Sequence, residues 1–344
     1  MSINKNIILF FLATICFFTC TKRDYEGPLL TNLYGEFEII DSLKISTKTP
    51  DFSSNELVKF YCKLNKDIQW KITITGLTSN SVKEISGFSN TIDSNLIFWN
   101  GNTSQVPFFK QEDCLVELTF NNEPDTLRDS LSILGNKIYD GILVADFEDG
   151  LPINSILFHQ FSMNMTFDTA SDQALVGNTY FKMGGRMGWN EWLLGQLDIP
   201  LDLSNVNSSA ENFYLNIGIL SGINGEFASD QFINILISES SSPFNNDPSN
   251  NGADVFQDTM EVYKYQIRPV DWIGWNYLSF SYDQFEVKSM GGNNSRNPSD
   301  ISAIRIQCQS CPYASANCPE NVNIDVRTDV DFVIFTENSR LLDQ

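Results

Sequence analysis

Apolar and polar residues alternate with a period of two along most of this chain. Val58, Phe60, Cys62 and Leu64 share one face of a predicted strand, and Trp70, Ile72 and Ile74 share one face of another. Cys114, Val116, Leu118 and Phe120 do the same. Breaks rich in Gly, Asn and Ser follow each run, the pattern of short antiparallel strands in a sandwich. A second series opens with the run 142–150 and continues through 213–220, 232–238, 261–268, 277–282, 301–307 and 331–336. No stretch sustains a 3.6-residue period over three turns, so the predicted fold is all-β. Residues 240–258 and 288–300, dense in Ser, Asn, Asp and Pro, read as long loops.

Gly135-Asn136-Lys137 separates the two series. The expected organisation is a leader at 1–19, a tether at 20–34, a β-sandwich at 35–135 and a larger two-sheet jelly roll at 138–344.

Composition narrows the function. The chain has 344 residues and a net charge of −21, which argues against nucleic acid as a partner. A single histidine, His159, excludes multi-His metal centres and weakens any Ser-His or Cys-His nucleophile. No phosphate loop or nucleophile elbow occurs, and no pair of carboxylates stands out for glycoside hydrolysis, so no enzyme is expected.

Lys5 precedes an apolar run, Ile7 to Phe18, too short for a bilayer, which needs about 20 residues. Cys20 follows, and the chain then turns abruptly polar. This start resembles a bacterial lipoprotein signal, which implies a lipidated Cys20 and an outer-membrane anchor facing the exterior or the periplasm. Thr19 departs from the small residue usual before the cysteine. In an exported chain, Cys62 and Cys114, both on inward faces, are expected to form a bridge; the alternative is two buried thiols. Cys308, Cys311 and Cys318 offer three sulfurs and no nearby histidine. A loop disulfide of Cys311 with Cys318 is expected there, with Cys308 buried on its strand.

The segment around Ile85-Ser86-Gly87 and Trp99-Asn100-Gly101 resembles the immunoglobulin-like or fibronectin-type-III-like modules of bacterial surface proteins, which implies a spacer. In the second series, Asp146-Phe147-Glu148-Asp149-Gly150, Leu197–Val206, Asp271–Phe285 and Asp331–Phe335 follow one another. This order resembles that of galactose-binding-like sandwiches of carbohydrate-binding modules. That resemblance puts the first and last strands side by side, with Asp146, Glu148 and Asp331 converging on a structural Ca²⁺; the alternative is solvent-facing carboxylates at a strand rim.

Sugar recognition needs an aromatic platform and directional polar groups. Arg186, Trp189, Asn190, Glu191 and Trp192 supply both within one Gly-rich segment, and Trp272 adds a further indole; core packing is the competing role for each indole. On 261–268, Lys264, Gln266 and Arg268 form a polar face opposite Tyr263, Tyr265 and Ile267, and either line a glycan groove or meet solvent. The whole resembles a glycan-binding surface lipoprotein of a polysaccharide-utilisation system. That implies an oligo- or polysaccharide ligand and an outer-membrane transporter partner. The alternative is a structural or adhesion lipoprotein that binds a protein.

Overall fold

The computed structural model describes residues 35–159, 165–186, 193–222, 230–240, 244, 260–310 and 325–344. The described residues form three antiparallel sheets, each six-stranded, and no α-helix.

The first sheet is organised around one long strand. It contains β1 (Ile39–Ile45), β2 (Val58–Gly76), β3 (Val82–Ile92), β4 (Phe98–Trp99), β5 (Asp113–Phe120) and β6 (Thr126–Ser132). The order is β1-β2-β5-β6, with β3 and β4 also on β2. Two runs that read as separate strands are one. Asn65-Lys66-Asp67 looks like a break, but the register with β3 merely shifts between Lys63 and Ile68. Lys66 takes an inward-parity position and escapes the core by pairing with Glu123 at 3.2 Å over the Phe37 ring. The inward residues of β2 pack with Trp99, Val116, Leu118 and Phe120 in a core of their own.

The expected Cys62–Cys114 bridge does not form: both thiols are free and buried. Cys114 lies opposite Gly76, at the far end of β2 from Cys62, and both strands belong to one sheet rather than two facing ones. Burial raises Cys62 to about 11 and Cys114 to about 12, which suppresses thiolate chemistry at both.

The remaining strands build a two-layer sandwich. They are β7 (Ile142–Ala145), β8 (Ile156–His159), β9 (Met165–Ala170), β10 (Tyr180–Arg186), β11 (Leu193–Pro200), β12 (Phe213–Ser221), β13 (Gln231–Ser238), β14 (Glu261–Ile267), β15 (Gly274–Ser281), β16 (Glu286–Met290), β17 (Ala303–Ser310) and β18 (Asp325–Glu337). The second sheet runs β15-β12-β18-β10-β9, with β7 also on β18, so the opening and closing strands are neighbours as expected. The third sheet runs β16-β14-β13-β17-β11-β8. Phe181, Ile217, Ile219, Val330 and Val333 of the second sheet share one core with Leu197, Ile233, Ile235, Ile304 and Ile306 of the third.

A third apolar cluster joins the first sheet to the sandwich. Phe108 meets Tyr139, Tyr277 and Phe332 edge-on, at centroid distances of 5.3, 5.3 and 5.7 Å. Gln344 ties the same junction, accepting from Asn100 Nδ2 at 2.8 Å and donating to Asp140 O at 2.8 Å.

Candidate functional site

The outward face of the third sheet departs from the usual polar, wet outside of a sandwich. Antiparallel register lines up Phe158, Gln196, Gln307, Asn234 and Gln266 in one row across β8, β11, β17, β13 and β14. At about 4.8 Å per strand the row is roughly 19 Å long. Its amides are chained. Gln307 Nε2 donates to Gln196 Oε1 at 3.1 Å, Asn234 Nδ2 to Gln307 Oε1 at 3.4 Å, and Gln266 Nε2 to Asn234 Oδ1 at 2.8 Å. Gln309 Nε2 joins at Gln307 Oε1, 3.1 Å. Gln196 and Gln307 are 1% exposed and Asn234 3%, whereas Gln266 reaches solvent and Gln309 is half-buried. One donor in this chain, Gln196 Nε2, is buried and has no hydrogen-bond partner. An orphaned buried donor costs about 1–3 kcal/mol, so the arrangement calls for an acceptor.

The rows on either side are charged but neutralised. Asp198, Arg305, Leu236 and Lys264 form the next row. Arg305 grips Asp198 through two bonds of 2.7 and 3.0 Å, and the ring of Phe244 lies 4.3 Å from the guanidinium. Phe244 is itself held by Leu236, Met260, Val262 and Ala303. On the other side, Arg268 pairs with Asp230 and stacks on Phe232 at 4.4 Å. The result is a strip of neutral amides between two compensated ion pairs. Each amide both donates and accepts, which matches hydroxyl groups better than a bare ion.

The expected polar side of β14 is as read: Gln266 and Arg268 face outward while Tyr263 is buried in the core. Cys308 is buried on β17, as expected. Arg186 ends β10, exposed and opposite Asp325. Trp272 is half-buried against the sandwich core, and its Nε1 donates to Ile219 O at 3.1 Å. It sits where the chain passes from the third sheet to the second, away from the amide row. Trp189, Asn190, Glu191 and Trp192 lie outside the described residues, as do Cys20, Cys311 and Cys318.

The three carboxylates do not assemble as a cation site. Glu148 is spent on the loop before β10. It accepts from Asn178 N at 2.7 Å and Thr179 N at 2.8 Å, and both hydrogen-bond to it through their side chains as well. Burial acts to raise its pKa, but these bonds hold it below the usual carboxylate range. Gly177 lies beside it at φ +63, a backbone conformation that favours glycine. Asp331 accepts from Leu175 N, Val176 N and Phe332 N at 2.8, 3.1 and 2.7 Å. Asp146 accepts from Glu148 N. Among the described residues no three His, Cys, Asp or Glu side chains could hold a metal ion.

No protein-family model and no curated protein matches this chain. Among solved structures, a carbohydrate-binding module from a study of promiscuous specificity in the β-sandwich superfamily is similar at 11% identity. That similarity covers 88% of this chain and 99% of the other, with a TM-score of 0.37. SGBP-B from a complex xyloglucan utilization locus in Bacteroides uniformis is similar at 11% identity over 88% of this chain and 73% of its own, with a TM-score of 0.36. The CBM22-1 xylan-binding domain of Paenibacillus barcinonensis Xyn10C is similar at 12% identity over 59% and 99%, with a TM-score of 0.29. At these scores the similarities assign no ligand to this chain.

Proposed function

We propose that this protein is a non-catalytic, glycan-binding lipoprotein that captures an oligo- or polysaccharide along the outer face of the third sheet. The observation that carries this reading is the amide row, which is chained from the buried Gln196 to an open end at Gln266, where it meets solvent. Sugar hydroxyls supply acceptors and donors in alternation, and an uncharged strip between satisfied ion pairs favours them over an anion. The indoles complete the chemistry. Trp189 and Trp192 lie in the connection that enters β11, the strand of Gln196, and stack on the apolar face of a pyranose ring. Cys20 carries the lipid, residues 21–34 are the tether, and the captured chain is passed to an outer-membrane transporter. A single site of this kind binds weakly, because each hydrogen bond replaces one to water.

Affinity electrophoresis of the exported chain on gels containing xyloglucan, xylan or other polysaccharides tests the proposal. Retardation by at least one polysaccharide is expected, reduced in Trp189→Ala and in Trp192→Ala with the melting temperature unchanged. No retardation on any glycan would overturn it and favour adhesion to a protein, and retardation of both variants equal to wild type would overturn the assignment of the two indoles to the site. Loss of radiolabelled acyl incorporation in Cys20→Ala tests the anchor separately.

A further inference from the structure

The junction between the first sheet and the sandwich holds a feature the amide row does not explain. In a chain of net charge −21, Lys44, Lys48, Lys66, Lys71, Arg128, Arg268, Arg305 and Arg327 sit in ion pairs with carboxylates. Lys83 on β3, Lys137 and Arg340 are in none of these pairs, yet all three gather at this junction. Lys83 and Arg340 both line a 530 Å³ cleft, together with Ser104 of the first part and Tyr277 to Phe280 of β15. Asp343 is the one carboxylate among the lining residues. Lys137 lines the adjoining 330 Å³ hollow, over the Tyr139 ring at 5.4 Å.

Burial disfavours the charge on both lysines. Lys83 is half-buried, and its ammonium is pushed below the ordinary lysine range, first by burial and then by the charge of Lys137. Lys137 is depressed by burial and only partly relieved by Asp140. Lys83 and Arg340 outnumber the one carboxylate, Asp343, that lines the cleft with them, which leaves a positive potential that an anion discharges. The cleft volume lies within the range of about 300–1,000 Å³ that holds small-molecule ligands.

We infer that the junction cleft is a second binding site, for a carboxylate-bearing sugar such as a uronic acid residue. Lys83 and Arg340 take the carboxylate, and Ser104 and Ser279 Oγ offer partners to ring hydroxyls. Ser104 Oγ accepts only from Glu84 N at 3.1 Å, leaving its proton to donate. Ser279 Oγ donates to Asn216 Oδ1 at 2.6 Å, leaving its lone pairs to accept. The choice of a sugar rests on the glycan reading above; the anion site itself rests on the cations.

Isothermal titration of the exported chain with trigalacturonate, with neutral xylotriose as the comparison, tests this. Trigalacturonate is expected to bind, to weaken steeply between 50 and 500 mM salt, and to lose roughly tenfold or more in affinity in Lys83→Gln/Arg340→Gln. Xylotriose is not expected to compete. The variant Gln196→Leu separates the two sites: it leaves trigalacturonate binding intact, whereas loss there would place the anion on the third sheet and overturn the inference. Absence of trigalacturonate binding, or wild-type affinity in a double variant of unchanged melting temperature, would also overturn it. Competition by inorganic sulfate at equal concentration would overturn the sugar assignment.

Discussion

Replacing Gln196 and Gln307 in turn by Leu separates ligand chemistry from fold stability, because the two amides are equally buried but unequally bonded. Gln307 donates to Gln196 Oε1 and accepts from Asn234 Nδ2 and Gln309 Nε2. In Gln307→Leu the half-buried Gln309 can turn to water, but Asn234 Nδ2 and Gln196 Oε1 lose these partners. At about 1–3 kcal/mol for each buried orphan, the loss is about 2–6 kcal/mol. For a domain of this size that lowers the melting temperature by roughly 5–15 °C. Gln196→Leu differs: it deletes the already unpartnered Nε2 and orphans at most one other group, Gln307 Nε2. One unsatisfied donor replaces another, and leucine fills a site 1% exposed, so stability should stay within about 1 kcal/mol of wild type. Urea unfolding followed by tryptophan fluorescence, with unchanged m-values, measures both. If Gln196→Leu is as damaging as Gln307→Leu, Gln196 Nε2 has a partner in the folded protein and the reasoning fails.

Burial holds Asp331 and Glu239 at about 7 and Asp329 at about 6, against ordinary values near 4. The folded chain therefore keeps protons that the unfolded chain has released. Their contribution to stability is complete below about pH 4 and is lost as pH rises through 7. Glu112 and Glu148, shifted down, act in the opposite sense, but their gain is finished by about pH 5.5. The melting temperature should thus fall between pH 5.5 and pH 7.5; a rise would contradict these assignments. Alkylation of the denatured chain without reductant should label Cys62 and Cys114 in full, and a cross-linked peptide joining them would contradict the register of β2 and β5. In Gly87→Val, a Cβ would come within 2.4 Å of the Trp70 ring on the facing strand, so a loss of about 1–3 kcal/mol is expected in thermal unfolding.

Period-two alternation is enough to read the all-β class, because burial of one strand face leaves a direct mark on composition; the adjacency of the opening and closing strands is what the resemblance to galactose-binding-like sandwiches implies. The alternation fails where a polar residue occupies an inward position by tertiary rescue. Lys66 is tolerated only because Glu123 and Phe37 are brought beside it, and no local pattern announces that. The Cys62–Cys114 bridge failed for a related reason: facing inward does not fix which residues face each other, and the register does. Two of the three carboxylates, Glu148 and Asp331, accept from backbone amides of residues 175–179, contacts that no strand pattern announces. The amide row was the larger omission. Its signal was present as lone Gln and Asn residues inside strongly apolar strands, Asn234 between Ile233 and Ile235 and Gln307 after Ile306. Only the pairing of β11, β17, β13 and β14 shows that these amides fall on one line.

The side-chain amide signals of Gln and Asn in a nitrogen-15 spectrum, followed while the best-retained oligosaccharide is added, test the central claim most directly. Shifts of the Gln196 and Gln266 NH₂ pairs, saturating together and at the same concentration as the tryptophan fluorescence, are expected. Saturation of binding with those two pairs unmoved would contradict it.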